Sequence, residues 1–252
     1  MNDHIPIKTT KTTFDLLETL VKEGEASLPE LASHLEKPTS TVHDHLISLQ
    51  KLGYVVKEEK TYRVSTRLLD MGESARRRMD VFPPAKREVD ELATQTGEHA
   101  SLAIEENGRT VLLYISKGAD ALDLGVSEGF RMPMPTNAPG KAILAHLPED
   151  RIDSILNEHG LPSITEKTVT DRTALREQLA EIRERGYAAD RGERVEGVRA
   201  VAVPILPEGR VQGALTISGP ANRMEGKRFE AELPNLLLQS ANVVEVQYTL
   251  GE

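Results

Sequence analysis

Few residues in this chain of 252 are placed for covalent or metal chemistry. There is no cysteine, so disulfides, thiolate metal sites and cysteine nucleophiles are excluded. His43 and His45 stand two apart in a stretch with helical spacing, so their rings diverge and cannot hold one ion together. The other histidines are scattered and read as surface or packing residues. Gly140-Lys141 hints at a phosphate-cradling loop, but Ala142 replaces the hydroxyl such a loop needs and no glycine lies five positions before Gly140. His-Glu-x-x-His, Gly-x-Ser-x-Gly and Gly-x-Gly-x-x-Gly are all absent. The sequence therefore predicts no catalytic residue, no metal and no cofactor.

Small hydroxyl side chains carry a different chemistry. In residues 39–51, TSTVHDHLISLQK, the apolar Val42, Leu46 and Leu49 share one helical face, while Ser40, Thr41, Asp44, Ser48 and Lys51 lie opposite. Pro38 disfavours helical geometry at Lys37, and Thr39 is placed to cap this helix. Just before it, Ser27-Leu-Pro-Glu30 is a capping box, predicting that the Ser27 hydroxyl accepts an amide while Glu30 reaches back. Leu28, Leu31, Ala32 and Leu35 form the stripe of the helix it opens. Two short helices across a tight turn, the second starting with small polar residues, make a helix-turn-helix pattern whose second helix fits a DNA major groove.

The flanking elements fit that pattern. Phe14, Leu17, Leu20 and Val21 predict the inner face of a preceding helix stopped at Gly24. YVVKEEKTYRV predicts two strands, with Tyr54 and Val56 alternating, Tyr62 and Val64 alternating, and Lys57-Glu58-Glu59-Lys60 at the turn. A hairpin there is a wing. The alternative is a winged helix that serves as a protein-interaction adaptor and does not bind an operator directly. Beyond the wing, Leu68, Met71, Gly72, Ala75 and Met79 line one face of a linker helix, with Arg76-Arg77-Arg78 on its exposed side. Pro83-Pro84 is expected to stop that helix and mark a domain boundary.

Charge separates the two halves. Residues 1–79 hold twelve Lys/Arg and twelve Asp/Glu; the remaining nineteen Lys/Arg and twenty-eight Asp/Glu place the whole net charge of −9 in residues 80–252. A neutral module beside an acidic body is compatible with DNA contact by the first part alone. Acidity without Cys or Trp also fits a salt-accumulating organism. No apolar run approaches the roughly 18 residues of a membrane span, and MNDHIPIKTTK lacks the apolar core of a signal peptide. These features suit a cytoplasmic protein with no membrane partner.

In the second half, Ala85, Val89, Leu92, Ala93 and Thr96 predict an amphipathic helix ended by Gly97. HASLAIEE-NGR-TVLLYIS reads as a hairpin through Asn107-Gly108, with a third strand at residues 121–126. Pro139 opens a helix, Asp171 caps another faced by Leu175, Leu179 and Ile182, and RAVAVPIL-PEGR-VQGALTIS is a second hairpin. A final helix spans residues 225–247. The fold class is α+β: an antiparallel sheet flanked by helices.

Residues 27–75 resemble the DNA-binding half of the IclR family, in the Ser-Thr-Val-His stretch, the Leu-Gly-Tyr before the wing and the LLDMG of the linker. Two departures are Asp44, where many members carry Arg, and Ala200, where many carry Cys. NAPGKAILAHLP, GYAADRGERVEGVRAVAVPI and GALTISGP are similar to the family's GAF-like effector-binding domain. The resemblance implies a winged helix-turn-helix DNA-binding domain at 1–66, a linker helix at 67–82 and an effector-binding domain at 83–252. It implies a DNA face of Ser27, Pro38, Thr39, Ser40, Thr41, His43, Asp44, Ser48 and Lys51, with Lys57 and Lys60 on the wing. It places a small effector against Ala138, Pro139, Gly140, Asp190, Val198, Ala200, Thr216 and Ser218. Free amides of Gly140 and Lys141 at that helix start would draw a carboxylate, and the hydroxyls favour a hydroxylated acid or sugar-derived compound. The implied assembly is a homodimer on a near-palindromic operator, seamed partly by Leu68, Met71 and Ala75, and a tetramer through the second domain.

Overall fold

The computed structural model describes residues 5–251. Residues 1–4, part of the stretch read above for a signal sequence, and residue 252 lie outside the described residues. The chain forms two compact units, one ending at Arg78 and one starting at Met79.

The first unit runs α1 (Lys8–Glu23), β1 (Ala26–Ser27), α2 (Leu28–His34), α3 (Thr39–Lys51), β2 (Val55–Glu58), β3 (Thr61–Val64) and α4 (Arg67–Arg76). The strands form an antiparallel sheet in the order β1-β3-β2. Leu16, Leu17, Leu20, Leu31, Val42, Leu46, Leu49, Val55 and Tyr62 build one core. The inner face of α1 differs from expectation. Leu16 is fully buried, whereas Phe14 and Val21 are 60% and 64% exposed. Leu16, Leu17 and Leu20 make a complete stripe, and Phe14 and Val21, seven residues apart, fall together on the adjoining face.

The wing is also shifted. Its turn is Glu59-Lys60 alone, with Lys57 and Glu58 inside β2. Val55 is buried in place of Val56, because strand side chains alternate and one residue of register exchanges the faces. The linker helix α4 buries no residue fully. Arg76 is largely covered and paired with Glu73 instead of standing on the exposed side. Arg67, at the start of α4, donates from Nη1 to the Leu52 carbonyl at 2.7 Å and lies over the Tyr54 ring at 4.9 Å. It thereby ties α4 to the end of α3.

The second unit opens with α5 (Phe82–Thr96). Pro83 and Pro84 occupy its first turn, where a missing N–H costs nothing, so they start a helix and do not stop one. Next come β4 (His99–Glu106), β5 (Arg109–Lys117), β6 (Arg131–Pro133), α6 (Ala138–Leu144), α7 (Glu149–His159), α8 (Arg172–Arg185), β7 (Ala188–Asp190), β8 (Val198–Ile205), β9 (Gly213–Pro220), a π-helical turn (Arg228–Glu232) and α9 (Leu233–Leu250). Residues 121–126 form no strand; β6 takes that place further on. Asn107 and Gly108, both at positive φ, make the two-residue turn between β4 and β5.

The six strands form one antiparallel sheet in the order β6-β5-β4-β9-β8-β7. Alternation gives it two unlike faces. Leu102, Ile104, Val201, Val203, Leu215 and Ile217 pack against α5, α9 and Phe229. The other face is small or hydroxylated: Ala200, Ala202 and Ala214 pack beneath α6, α7 and α8. These small residues let α6 sit directly on the sheet. A Cβ at Gly140 would run into the Met134 carbonyl and the Thr110 hydroxyl. Gly140→Ala is therefore expected to destabilise the second unit by about 1–3 kcal/mol, as overpacking does. Equilibrium urea denaturation checks this; an unchanged midpoint would show that α6 is not seated so closely.

Candidate functional site

In the first unit, α3 presents Thr39, Ser40, His43, Asp44, Ser48 and Lys51 to solvent, with Thr41 half-buried among them. Pro38, extended at φ −55° and ψ 137°, is the N-cap, so Thr39 is the first helical residue and not the cap. Ser48 Oγ donates to the Asp44 carbonyl at 2.8 Å, which leaves its lone pairs outward. Ser27 stands apart from this set. It forms the expected capping box, its side chain accepting from the Glu30 backbone, and its amide and hydroxyl also donate to the Glu30 carboxylate at 2.7 Å. Those bonds hold the Glu30 carboxyl below its ordinary range. His45 is also withdrawn, its Nδ1 lying 2.8 Å from the Thr13 hydroxyl of α1. Lys57 and Lys60 stand exposed on the wing, and Lys37, not foreseen, is exposed just before α3.

In the second unit, a cavity of about 80 Å³ opens on the small-residue face of the sheet. Ala138, Pro139, Asp190, Val198, Ala200, Thr216 and Ser218, all named from the sequence, line it together. Gly140 does not; within α6 it is packed against the Met134 carbonyl and the Thr110 hydroxyl. The register explains the grouping: Asp190 pairs with Ala200, Ala200 with Ser218 and Ser218 with His99, so one row crosses four strands. Ser101 and Thr216 pair in a second row. His99, Ser101, Arg194 and Asn137 are lining residues the sequence reasoning missed. The alternation in HASLAIEE was the available signal, since it puts His99 and Ser101 on one face.

Two amides at the helix start are already engaged. The Gly140 amide donates to Asn137 Oδ1 at 2.8 Å, and the Lys141 amide to the Asn137 carbonyl at 3.0 Å. Asn137 caps the helix, and both amides expected to meet a carboxylate are used up. The cavity has other polar groups. His99 Nε2 and Thr216 Oγ1 are buried and have no hydrogen-bond partner. Burial holds His99 below its ordinary pKa, with the Lys117 charge acting the same way, and so favours neutral imidazole.

Asp190 Oδ1 accepts from the amides of Gly192 at 2.9 Å and Glu193 at 2.6 Å. Desolvation nevertheless raises its carboxyl from 3.8 to about 6; the nearby Glu193 charge adds to the rise, while the amide bonds and Lys141 oppose it. Next to it, Lys141 and Glu193 form a buried ion pair at 2.5 Å. Asp190 binds its proton more tightly in the native chain than in the unfolded one. Its favourable contribution is thus complete below pH 3.8 and lost as pH rises through about 6. Relative to Asp190→Asn, wild type is expected to gain roughly 3 kcal/mol of unfolding free energy across that window on acidification. Denaturation of both proteins at a series of pH values measures the difference; a flat difference would show that Asp190 is not desolvated.

Comparison with known proteins agrees with this geometry. Residues 12–59 match the IclR helix-turn-helix domain, and residues 73–246 match the bacterial transcriptional regulator IclR C-terminal domain. The chain is 31% identical over 240 residues to the probable HTH-type transcriptional regulator ArcR of Halobacterium salinarum, covering 92% of this chain and 90% of that one. An IclR crystal structure from Thermotoga maritima superposes with a TM-score of 0.81 at 27% identity, covering 96% of this chain and 98% of that one. An IclR homologue of Microbacterium hydrocarbonoxydans, complexed with 4-hydroxybenzoate, shares the fold with a TM-score of 0.82 at 23% identity over 96% of this chain and 99% of its own. The chain belongs to the IclR family of transcription regulators, with a helix-turn-helix DNA-binding domain and an effector-binding C-terminal domain.

Proposed function

We propose that the chain regulates transcription as a homodimer on a near-palindromic operator, and that a small hydroxylated acid or sugar-derived metabolite in the second unit's cavity modulates that binding. The observation that carries the effector reading is the cavity itself, two of whose lining residues, His99 and Thr216, carry a buried polar atom (Nε2 and Oγ1) without a partner. Its size favours a compact ligand. A cavity of roughly 150 Å³ accommodates benzene, and this one measures about 80 Å³. The protein acts by binding, as regulators of its family do, and not by catalysis. No helix among the described residues is long and apolar enough to cross a membrane. A DNA-binding regulator of this family fits a cytoplasmic site of action.

Residues 1–66 are assigned to the DNA, 67–82 to the linker and 83–252 to the effector. Pro38, Thr39, Ser40, Thr41, His43 and Asp44 would enter the groove, with Ser48 and Lys51 further along α3 and Lys57 and Lys60 from the wing. Ser27 serves by holding the start of α2. A phosphate contact contributes about 0.9 to the slope of log affinity against log salt. Lys51→Ala is expected to weaken binding to the DNA upstream of the chain's own gene, in gel shifts, and to flatten that slope by about one. Thr41→Ala is expected to weaken the same complex. Unchanged binding by both variants would overturn the recognition-helix assignment, and a wild-type chain that shifts no DNA would favour the adaptor reading.

The dimer seam is assigned to the apolar residues that the first unit leaves outside. Phe14 and Val21 of α1, with Leu69 and Met71 of α4, are exposed. Leu68, expected in the seam, is half-buried against the unit's own core, while Ala75 is exposed. The second unit is proposed to pair these dimers into a tetramer. Light scattering is expected to show at least a dimer for wild type and a smaller species for Phe14→Glu. A monomeric wild type would sink the dimer, and an unaltered mass for the variant would remove α1 from the seam.

A further inference from the structure

Arg194 is the cation in the wall of the cavity. It is carried by the loop between β7 and β8, and its guanidinium lies 5.0 Å from the centre of the Phe130 ring. It donates no hydrogen bond to a described residue, so its five N–H donors remain available. Desolvation pulls its pKa below the usual guanidinium range, against the opposing charge of Asp190. That counter-charge is shared. One Asp190 oxygen is engaged by two backbone amides, and desolvation raises its carboxyl to about 6, so the charge is lost only below that pH. A partly buried cation that shares its counter-charge and keeps free donors is stabilised further when an anion joins it.

The loop holds Arg194 in place. The neighbouring Glu193 is tied to Lys141 at 2.5 Å, its amide to Asp190 and its carbonyl to the hydroxyls of Thr165 at 3.1 Å and Thr168 at 2.6 Å. At the other end of the row, His99 is 2% exposed, and Thr216 of the second row is 4% exposed; both line the cavity, and His99 Nε2 and Thr216 Oγ1 have no hydrogen-bond partner among the described residues. The backbones of Asp190 and His99 are three strand spacings apart, about 14 Å, and Ala200 and Ser218 lie between them. After side chains are allowed for, a ligand of about two to four carbons spans the gap within the 80 Å³ available.

We propose that Arg194 anchors the carboxylate of a small hydroxy acid whose hydroxyl supplies the hydrogen bonds that His99 and Thr216 lack. This rests on the cavity being the effector site. The anchor is a side chain of the loop, not the helix start, so it selects for a planar anion that a guanidinium fork can grip. The carboxylate sits beside Asp190, whose protonated form can donate to it, whereas a second carboxylate would meet no further cation in the wall.

The test is titration calorimetry of the full chain with glycolate, lactate and glycerate and with the primary amide of each. Wild type is expected to bind at least one acid about 10- to 100-fold more tightly than its amide, the ratio a charged hydrogen-bond pair supplies. In Arg194→Gln that ratio is expected to fall to about three or less, and Arg194→Lys is expected to restore part of it. A purely packing role for Arg194 would weaken acid and amide alike and leave the ratio intact, which overturns the proposal, as does failure of wild type to bind any of the acids. Ala200→Phe fills the cavity and tests the underlying reading separately. Acid binding lost in Ala200→Phe but with its ratio kept in Arg194→Gln leaves the effector site standing and removes the anchor. Acid binding retained in Ala200→Phe removes both.

Discussion

The second unit's cavity depends on one buried ion pair. Lys141 and Glu193 meet at 2.5 Å with almost no solvent access. Taking each charge out of water costs several kcal/mol, so neither is tolerable alone. Gln178 Oε1 accepts from Lys141 at 3.3 Å, but Glu193 Oε2 has no partner. The pair is therefore better understood as a device for position than as a source of stability. It joins α6, lying on the sheet, to the loop after β7. Asp190 and Arg194 flank that anchored stretch, so the pair fixes two of the charged groups that the cavity presents.

The sheet supplies the floor by the same economy of size. β4, β8 and β9 each alternate large aliphatic residues on one face with small or hydroxylated residues on the other. The aliphatic face makes the main core with α5 and α9. The opposite face, with Ala200, Ser101, Thr216 and Ser218, is too small to close the space beneath the start of α6, and the space that remains is polar on its floor. In the first unit a comparable link is made by Arg67, which joins the start of α4 to the Leu52 carbonyl at the end of α3. A cation near a helix C-terminus also complements its dipole. A shift of α4 would thus be felt by α3, the helix proposed to meet the DNA.

Local signals in the sequence were reliable where an element is determined by its own residues. The stripe of α2, the face of α3, the Asn107-Gly108 turn, the Asp171 cap and the inner face of α8 all arise from spacing or capping chemistry and appear as such. What was missed depends on partners distant in sequence. β1 is two residues long and exists through pairing with β3. β7 is a three-residue edge paired with β8. The face of α1 was misjudged because Leu16 and Phe14 are equally apolar, and only the packing of α2 and α3 decides between them. α7 is different: Ile152, Ile155 and Leu156, with Glu149 and Asp150 in the first turn, were a legible signal that went unread. In the cavity, resemblance to the family gave seven of the lining positions; alternation put His99 on one face with Ser101, but its place in the row needed the register, and Arg194 needed the loop path.

Charge sets a final constraint on how the two units divide their work. The acidic excess lies wholly in residues 80–252, so that part repels phosphates. The first unit, with equal numbers of each sign, has no general attraction to replace it. Its affinity for DNA must come from particular cations left outside ion pairs. Lys11 is bound to Asp15 and Arg63 to Glu58, whereas Lys37, Lys51, Lys57 and Lys60 are in no ion pair with a described residue. Those four flank α3 at its start, its end and along the wing, while Asp44 stands among the hydroxyls between them. A carboxylate there is unfavourable near a phosphate and favourable only against a donor such as the cytosine amino group. With α3 and the wing on the DNA as proposed, the arrangement yields modest, salt-sensitive attraction from a few lysines and makes Asp44 a penalty at most positions. On that proposed face, discrimination between sequences comes from the penalty as much as from the attraction.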